Sequence, residues 1–209
     1  YWGVAQFFKF TPIIWTLSKE NTYMPNALII MATGAEELES ISVIDILRRG
    51  GVDLTMAALT LNQSLEVACA HGTVIKADTT LEQAATTKFD AVIIPGGLPG
   101  SNNCGASPLV GSILKEQFAA GKLIAAICAA PALVLAKHGI LNQNIPATGY
   151  PGTEQYLPQA KSDNVVIDEA HNIITSRGPA TAIDFALAIL THLTDRKTAN
   201  KVAQDMLVI

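Results

Sequence analysis

Residues 123–132 read LIAAICAAPA, a run of small and branched apolar side chains interrupted only by Pro131. An unbroken apolar run of this length predicts a short parallel strand over 123–127, buried on both faces. Cys128 follows directly, and the small residues around it suit a tight turn into a helix over 129–137. The free N–H groups of that helix would favour a thiolate. The alternative is a buried and inert cysteine, a common place for this residue type.

The same strand-then-helix pattern extends along the chain. Apolar runs predict further strands over 27–31, 52–58, 91–94, 165–167 and 172–175, and a small hairpin over 65–77. Periodic apolar positions predict helices over 41–49, from Ser107 and Pro108 to 118, and from 179 onward. This alternation predicts an α/β fold, with a mostly parallel sheet covered by helices on both faces. We expect one domain over 24–209, with residues 1–23 as an extension outside the fold.

Composition narrows the class of protein. The chain has 209 residues, 49% hydrophobic residues and a net charge of −4, so it lacks the basic footprint of a nucleic-acid-binding protein. Its three cysteines lie far apart, which argues against a disulfide scaffold and favours the cytoplasm. The four histidines show no ligand spacing with the cysteines, so we expect neither a metal nor another cofactor. No segment has the pattern of a membrane span.

Ligands of such sheets bind beyond the carboxyl ends of the strands, so the residues after each strand are the candidate site. In the stretch GAEELE, 34–39, three carboxylates begin a helix. We expect Glu36 or Glu37 to cap that helix and one of the three to turn into the crevice. A carboxyl group near a thiolate would have its pKa raised and could remain protonated.

Two further loops follow predicted strands. Paired glycines in PGGLPG, 95–100, can present backbone N–H groups to a ligand oxygen, although a tight turn alone would also need them. In TSRGP, 175–179, Arg177 is either an anion-binding group or one half of a surface ion pair.

Together, the ordered motifs GAEELE, IIPGG, AAICAAP and TSRGP resemble the ThiJ/PfpI superfamily, in the branch of the Parkinson-disease protein deglycase and the bacterial YajL-type proteins. The resemblance runs from about Asn26 to about Val208. It implies a flavodoxin-like three-layer fold with a cysteine elbow, and a homodimer with each active site near the interface.

The resemblance also assigns residues. It implies that Cys128 is the reactive cysteine and that Glu39 is the carboxyl group that hydrogen-bonds it. It further implies that three residues line the pocket with backbone N–H groups, namely Gly96, Gly97 and Ala129. The supporting residues near the site or the dimer contact are Asp45, Arg49, His71, Tyr150, Ser176 and Arg177.

Two positions depart from the pattern of the human relative. Tyr150 stands where that relative has a histidine near the cysteine, which argues against a Cys–His peptidase. His71 stands where it has an arginine, and a histidine would hold an anion only weakly near neutral pH.

Three functions remain open from the sequence. The first is cysteine-dependent conversion of 2-oxoaldehydes such as methylglyoxal, or repair of their early adducts, coupled to the oxidative-stress response. The second is a redox-sensing chaperone in which Cys128 is oxidised to the sulfinate. The third, an amidotransferase-like hydrolase, needs a positioned histidine that the sequence does not supply. The expected partners are a small aldehyde or glycated substrate, unfolded-protein clients and a second copy of the chain.

Overall fold

A seven-stranded sheet forms the centre of the molecule in the computed structural model, which describes residues 23–208. In chain order its strands are β1 (Asn26–Ala32), β2 (Asp53–Leu59), β5 (Thr79–Thr80), β6 (Ala91–Ile94), β7 (Leu123–Ile127), β8 (Val165–Asp168) and β9 (Ile173–Ser176). The remaining two strands, β3 (Glu66–Ala68) and β4 (Val74–Lys76), pair as a separate antiparallel hairpin. Each of the expected strands and the expected hairpin is therefore present.

Helices cover both faces of the sheet. They are α1 (Glu37–Arg49), α2 (Leu81–Ala84), α3 (Leu98–Ala106), α4 (Pro108–Ala119), α5 (Ala182–Leu193) and α6 (Arg196–Asp205). Successive side chains of a strand point to opposite faces, so Ile29 and Met31 pack on the side of α1 and α5, while Leu28 and Ile30 pack on the side of α4. This three-layer arrangement explains why β6 and β7 are apolar at every position.

The order of the strands determines where the site lies. The sheet runs β5-β2-β1-β6-β7-β9-β8, and every neighbouring pair is parallel except β8 and β9. The core order β2-β1-β6-β7-β9 is that of a flavodoxin-like fold, in which the chain changes direction across the sheet between its first and third strands. The loops after β1 and β6 therefore meet at one edge, beside the end of β7.

Several elements differ from the expectations. Helix α1 begins at Glu37, within the acidic stretch expected to start a helix but before the apolar positions that begin at 41. The loop expected after β6 is mostly helical, as α3. A π-helical turn, Pro131–Ala136, takes the place of the α-helix expected over 129–137. Three elements were not expected from the sequence, namely α2, α6 and β5. Helix α2 and strand β5 are very short, and α6 is mostly polar.

The N-terminal expectation lies almost wholly outside the described residues. Residues 1–22 are not among them, and the boundary proposed at 23/24 stays a prediction. Tyr23 is described, and its hydroxyl group donates a hydrogen bond to the Asp90 carboxylate. No helix within residues 23–208 combines the length and the apolar character that crossing a membrane requires.

Candidate active site

Cys128 occupies a strained turn at the end of β7. Its φ angle is 64°, in the left-handed region that residues with a Cβ atom rarely adopt. Two backbone hydrogen bonds hold it there: its N–H donates to the Ser176 carbonyl oxygen at 2.9 Å, and its carbonyl oxygen accepts from the Tyr150 N–H at 2.7 Å. The residue is 8% exposed, so it is mostly buried but not sealed from solvent. The expected elbow is present.

Glu39 is the acidic residue that turns inward from α1, and it is completely buried. Its Oε2 atom accepts a hydrogen bond from the Gly96 N–H at 2.7 Å, whereas its Oε1 atom has no hydrogen-bond partner. Gly96 lies between the two side chains. A Cβ atom at that position would lie 2.4 Å from the Cys128 Cβ, 2.6 Å from the Glu39 Oε2 and 2.9 Å from the Cys128 Sγ. Only glycine lets the carboxyl group and the sulfur approach each other here.

The two side chains compete for one negative charge. Burial, reinforced by the Glu36 carboxylate, raises the pKa of Glu39 from 4.5 to about 7. Burial and the neighbouring Glu39 carboxylate raise the pKa of the Cys128 thiol to about 12. Between those values the pair carries a single negative charge, mainly on the Glu39 carboxylate, beside a protonated thiol. Near neutral pH Glu39 is therefore half protonated and can exchange a proton with the sulfur.

The expected effect of backbone N–H groups on the thiol is present, but it does not decide the pKa. The Gly97 and Ala129 N–H groups lower the pKa of the thiol, but burial and the Glu39 carboxylate outweigh them. The expectation for Gly96 needs correction. Its N–H group is already bonded to Glu39, so only Gly97 and Ala129 have N–H groups directed at the sulfur.

The neighbouring loops support the elbow mainly through backbone. The Ser176 hydroxyl group bonds the Asn164 carbonyl oxygen and the Thr181 hydroxyl group, so it fixes the loop after β9. Tyr150 is half exposed and its ring borders Gly178. The Arg177 side chain donates to the Ser162 carbonyl oxygen. Of its two expected roles, the surface ion pair finds no acidic partner among residues 23–208.

Two other predicted residues lie on the surface beside the site. Arg49 forms an ion pair with Asp45 on α1, with a distance of 2.7 Å between Nε and Oδ2. His71 lies in the turn of the β3–β4 hairpin, where its backbone N–H donates to the Glu37 carboxylate. The structure places neither Arg49 nor His71 in a hydrogen bond with Cys128 or Glu39.

The other two cysteines have different surroundings. Cys104 is 1% exposed within α3, and burial raises its pKa to about 12. Burial, with the charges of Glu37 and Glu36, raises the pKa of Cys69 to about 11. All three cysteines are free thiols. Cys128 alone combines a strained turn with a carboxyl group that can exchange a proton with it.

One group of side chains has the composition of a metal site. Ligand atoms of Glu36, Glu37 and His71 lie within 4.8 Å of one another. Glu37 accepts hydrogen bonds from the backbone of the hairpin, and Glu36 caps α1, so the three residues already have structural roles. The capping role expected for Glu36 or Glu37 therefore falls to Glu36. Glu36 also donates its own N–H to the Gly96 carbonyl oxygen, a contact that no pattern in the sequence indicates.

The protein has a flavodoxin-like sheet and a strained cysteine beside a buried carboxyl group. These features place it among the α/β proteins with a cysteine elbow. The model of the DJ-1/PfpI family matches residues 25–192. The chain belongs to the DJ-1/PfpI family, which confirms the resemblance seen in its motifs.

Individual relatives agree with that assignment. The chain is 46% identical over 185 residues to Protein dj-1beta of Drosophila melanogaster, covering 88% of this chain and 97% of the relative. It is 37% identical over 188 residues to the glutathione-independent glyoxalase DJR-1.2 of Caenorhabditis elegans, covering 87% and 95%. The solved structure of oxidized Toxoplasma gondii DJ-1 superposes with a TM-score of 0.83 at 36% identity, covering 88% and 98%. The family thus includes a relative named for glyoxalase activity.

Proposed function

We propose that the protein converts reactive 2-oxoaldehydes, such as methylglyoxal, or their early adducts, to 2-hydroxy acids through Cys128. The observation that carries this proposal is the contact between the Cys128 sulfur and a buried carboxyl group whose pKa lies at about 7. A group that is half protonated near neutral pH can both accept and return a proton, which this reaction requires. The relative named as a glyoxalase supports the same assignment.

The reaction begins with addition of sulfur to the aldehyde. Ionised Glu39 accepts the proton of the Cys128 thiol as the sulfur attacks the aldehyde carbon of methylglyoxal. A carbon–sulfur bond forms, the carbonyl π bond breaks, and the new oxyanion receives the proton from Glu39. The product is a hemithioacetal beside an ionised Glu39. The Gly97 and Ala129 N–H groups, directed at the sulfur, are the available donors for the oxyanion.

The same carboxyl group then moves a proton between carbons. Glu39 removes the hydrogen of the former aldehyde carbon as a proton, giving an enediolate, and returns it to the adjacent carbon, while the hydroxyl proton passes from the first oxygen to the second. The result is a thioester of the 2-hydroxy acid, and no external oxidant is needed because one carbon is oxidised as the other is reduced. Water hydrolyses the thioester, which releases lactate and restores the thiol. A deglycase would carry out the same steps on the adduct of an amine or a thiol. Glu39 would then protonate the amine or thiol as it leaves.

Turnover by substituted proteins tests this proposal. We expect Cys128→Ser to lose conversion of methylglyoxal to lactate, because a serine hydroxyl group is a far weaker acid and a poorer nucleophile than a cysteine thiol. Cys69→Ser is the matched control, since Cys69 is another mostly buried thiol and lies outside the elbow. It should keep wild-type turnover. Wild-type turnover by Cys128→Ser would rule the proposal out.

A redox-sensing chaperone is the second candidate function. The unpartnered Glu39 Oε1 atom favours it, because a protonated carboxyl group at that place can donate a hydrogen bond to a cysteine sulfinate. A relative of this chain has been solved in an oxidized form. Intact-mass analysis after mild peroxide should show a stable two-oxygen adduct on Cys128 in the wild type. Continued oxidation to the three-oxygen form would count against a protected sulfinate.

A histidine-dependent hydrolase finds no support in the geometry. Across residues 23–208, no histidine side chain is hydrogen-bonded to Cys128. The His171 ring bonds Asp168 and the His138 ring bonds the Cys104 carbonyl oxygen. Tyr150 occupies the loop where the human relative has its histidine. The proposed chemistry therefore depends on Glu39 as the proton carrier.

We further propose that two copies of the chain associate through the outer face of α1. Leu38 and Ile41 are apolar yet 55% and 47% exposed on that face, one helical turn apart. Val74 of the hairpin is 61% exposed. Exposed apolar side chains on neighbouring elements are typical of an interaction surface, and α1 also carries Glu39. The proposed interface thus lies beside the proposed site.

A further inference from the structure

Glu36 connects the two halves of the candidate site. Its backbone N–H donates to the Gly96 carbonyl oxygen at 3.0 Å, and the Gly96 N–H donates to the Glu39 Oε2 at 2.7 Å. The Glu39 N–H in turn donates to the Glu36 Oε2 at 2.7 Å. These three hydrogen bonds form a closed ring through Glu36, Gly96 and Glu39. Gly96, which lies between the Cys128 sulfur and the Glu39 carboxyl group, is thus held through both its N–H group and its carbonyl oxygen.

The ring has little freedom to rearrange, because its backbone segments are packed against each other. A Cβ atom at Gly97 would lie 2.2 Å from the Gly34 carbonyl oxygen and 2.7 Å from the Glu36 nitrogen. The Glu36 carbonyl oxygen is also used, accepting from the Ser40 N–H and hydroxyl group. Glu36 is only 8% exposed, although it carries a charged side chain. A residue needed only to cap a helix would not have to be buried in this way.

Resting on the proposed function, we infer that Glu36 is a positioning residue of the same site. The hydrogen bond by which the Glu36 carboxylate caps α1 fixes the place of the Glu39 carboxyl group. The charge of Glu36 helps Glu39 to keep its exchangeable proton near neutral pH. Glu36 does not touch the sulfur and acts through Glu39.

The charges around Glu39 support this inference. The groups that act on its carboxyl are Glu36 from the start of α1 and Cys128 from the elbow, while the turn after β6 presents only backbone. The Glu36 charge favours the protonated form of Glu39, because two carboxylates in one buried site repel each other. Glu37 is the neighbouring acid, but its carboxylate is bonded to the His71 and Thr73 N–H groups of the hairpin.

The pH profile of Cys128 alkylation by iodoacetamide provides a test that does not depend on turnover. Glu36→Gln keeps an oxygen that can cap α1 but removes the charge. We expect Glu39 to lose its proton more easily, so the lower midpoint of the profile falls by roughly half a pH unit. Glu36→Asp keeps both cap and charge and should restore the wild-type midpoint. Glu37→Gln removes a neighbouring charge that does not face Glu39, and its midpoint should not move.

Two results would overturn the inference. One is a Glu36→Gln profile that superposes on that of the wild type. The other is a Glu36→Asp profile with the same displacement as Glu36→Gln, since the retained cap and charge would then be irrelevant. The proposed function fails separately, if the wild-type protein does not convert methylglyoxal. A displaced midpoint in Glu36→Gln would still establish the positioning role in that case.

Discussion

At the scale of single residues, the site depends on a charge that is costly to bury. Glu39 is fully buried, and one of its oxygens has no partner. A carboxylate in such a place is destabilising, so the folded protein holds a proton there that the unfolded chain releases. The sequence allowed this residue to be identified from its motif. The unpartnered oxygen and the Glu36 ring required coordinates, because they depend on how two loops distant in sequence pack together.

This burial gives the fold a definite dependence on pH. The pKa of Glu39 is about 7 in the folded protein against an ordinary 4.5, so stability falls as the pH rises from 4.5 through 7. Glu39→Gln removes the ionisable group and keeps an acceptor for the Gly96 N–H. We expect it to exceed wild type in free energy of unfolding by up to about 3 kcal/mol above neutral pH. Denaturant titrations of both proteins measure this difference.

The difference should vanish at acidic pH. Below 4.5 both the folded and unfolded wild-type chains hold the Glu39 proton, so the two proteins should then have nearly equal stability. Glu82→Gln is a suitable control because Glu82 is an exposed acid on α2. A constant gap between wild type and Glu39→Gln at all pH values would contradict the linkage.

At the scale of elements, apolar runs predicted the strands well, while three helices were missed, namely the very short α2 and the longer α3 and α6. Helix α3 has the sequence LPGSNNCGA, whose glycines, proline and asparagines disfavour a helix. Its glycines are needed for close packing, so tertiary contacts override the local preference. Helix α6 is mostly polar, with only Ala199, Val202 and Ala203 buried. The strands, by contrast, are buried on both faces, and this leaves a plain signal in the sequence.

The packing of α3 on the π-helical turn after the elbow leads to a prediction. A Cβ atom at Gly105 would lie 2.1 Å from the Leu133 carbonyl oxygen, which is backbone and cannot swing away. We expect Gly105→Ala to destabilise the protein by about 2 kcal/mol, through strain that outweighs the helical preference of alanine. Thermal unfolding monitored by circular dichroism measures the loss.

Gly111 provides the matched control for that substitution. It is also a buried helical glycine, but a Cβ atom there would meet the ring of His138 at 2.6 Å. That half-buried side chain can rotate, so Gly111→Ala should cost clearly less than Gly105→Ala. Equal losses would show that the contact between α3 and the π-helical turn is not rigid.

At the scale of the whole molecule, the parallel sheet gathers the proposed chemistry at one edge. The carboxyl ends of β1, β6 and β7 supply Glu39, the Gly96 turn and Cys128. Helix α1 begins at this edge and also carries the exposed apolar face, so the proposed association of two copies and the arrangement of the site would share one element.

We expect Ile41→Glu to shift the protein from dimer to monomer, because it introduces a buried unpaired charge into the proposed interface. Light scattering coupled to size-exclusion chromatography measures the mass. Ile167→Glu is the control, since Ile167 is 51% exposed on β8, away from α1. A dimer that persists in Ile41→Glu would exclude the outer face of α1 as the contact.

The hydrogen bond between Tyr23 and Asp90 has a practical consequence. Asp90 immediately precedes β6, and Lys122, which pairs with it at 2.7 Å, immediately precedes β7. Both lie at the amino ends of the strands, whereas Cys128 follows the carboxyl end of β7. A fluorescent label joined directly to Tyr23 would therefore be anchored at the end of the sheet opposite the elbow.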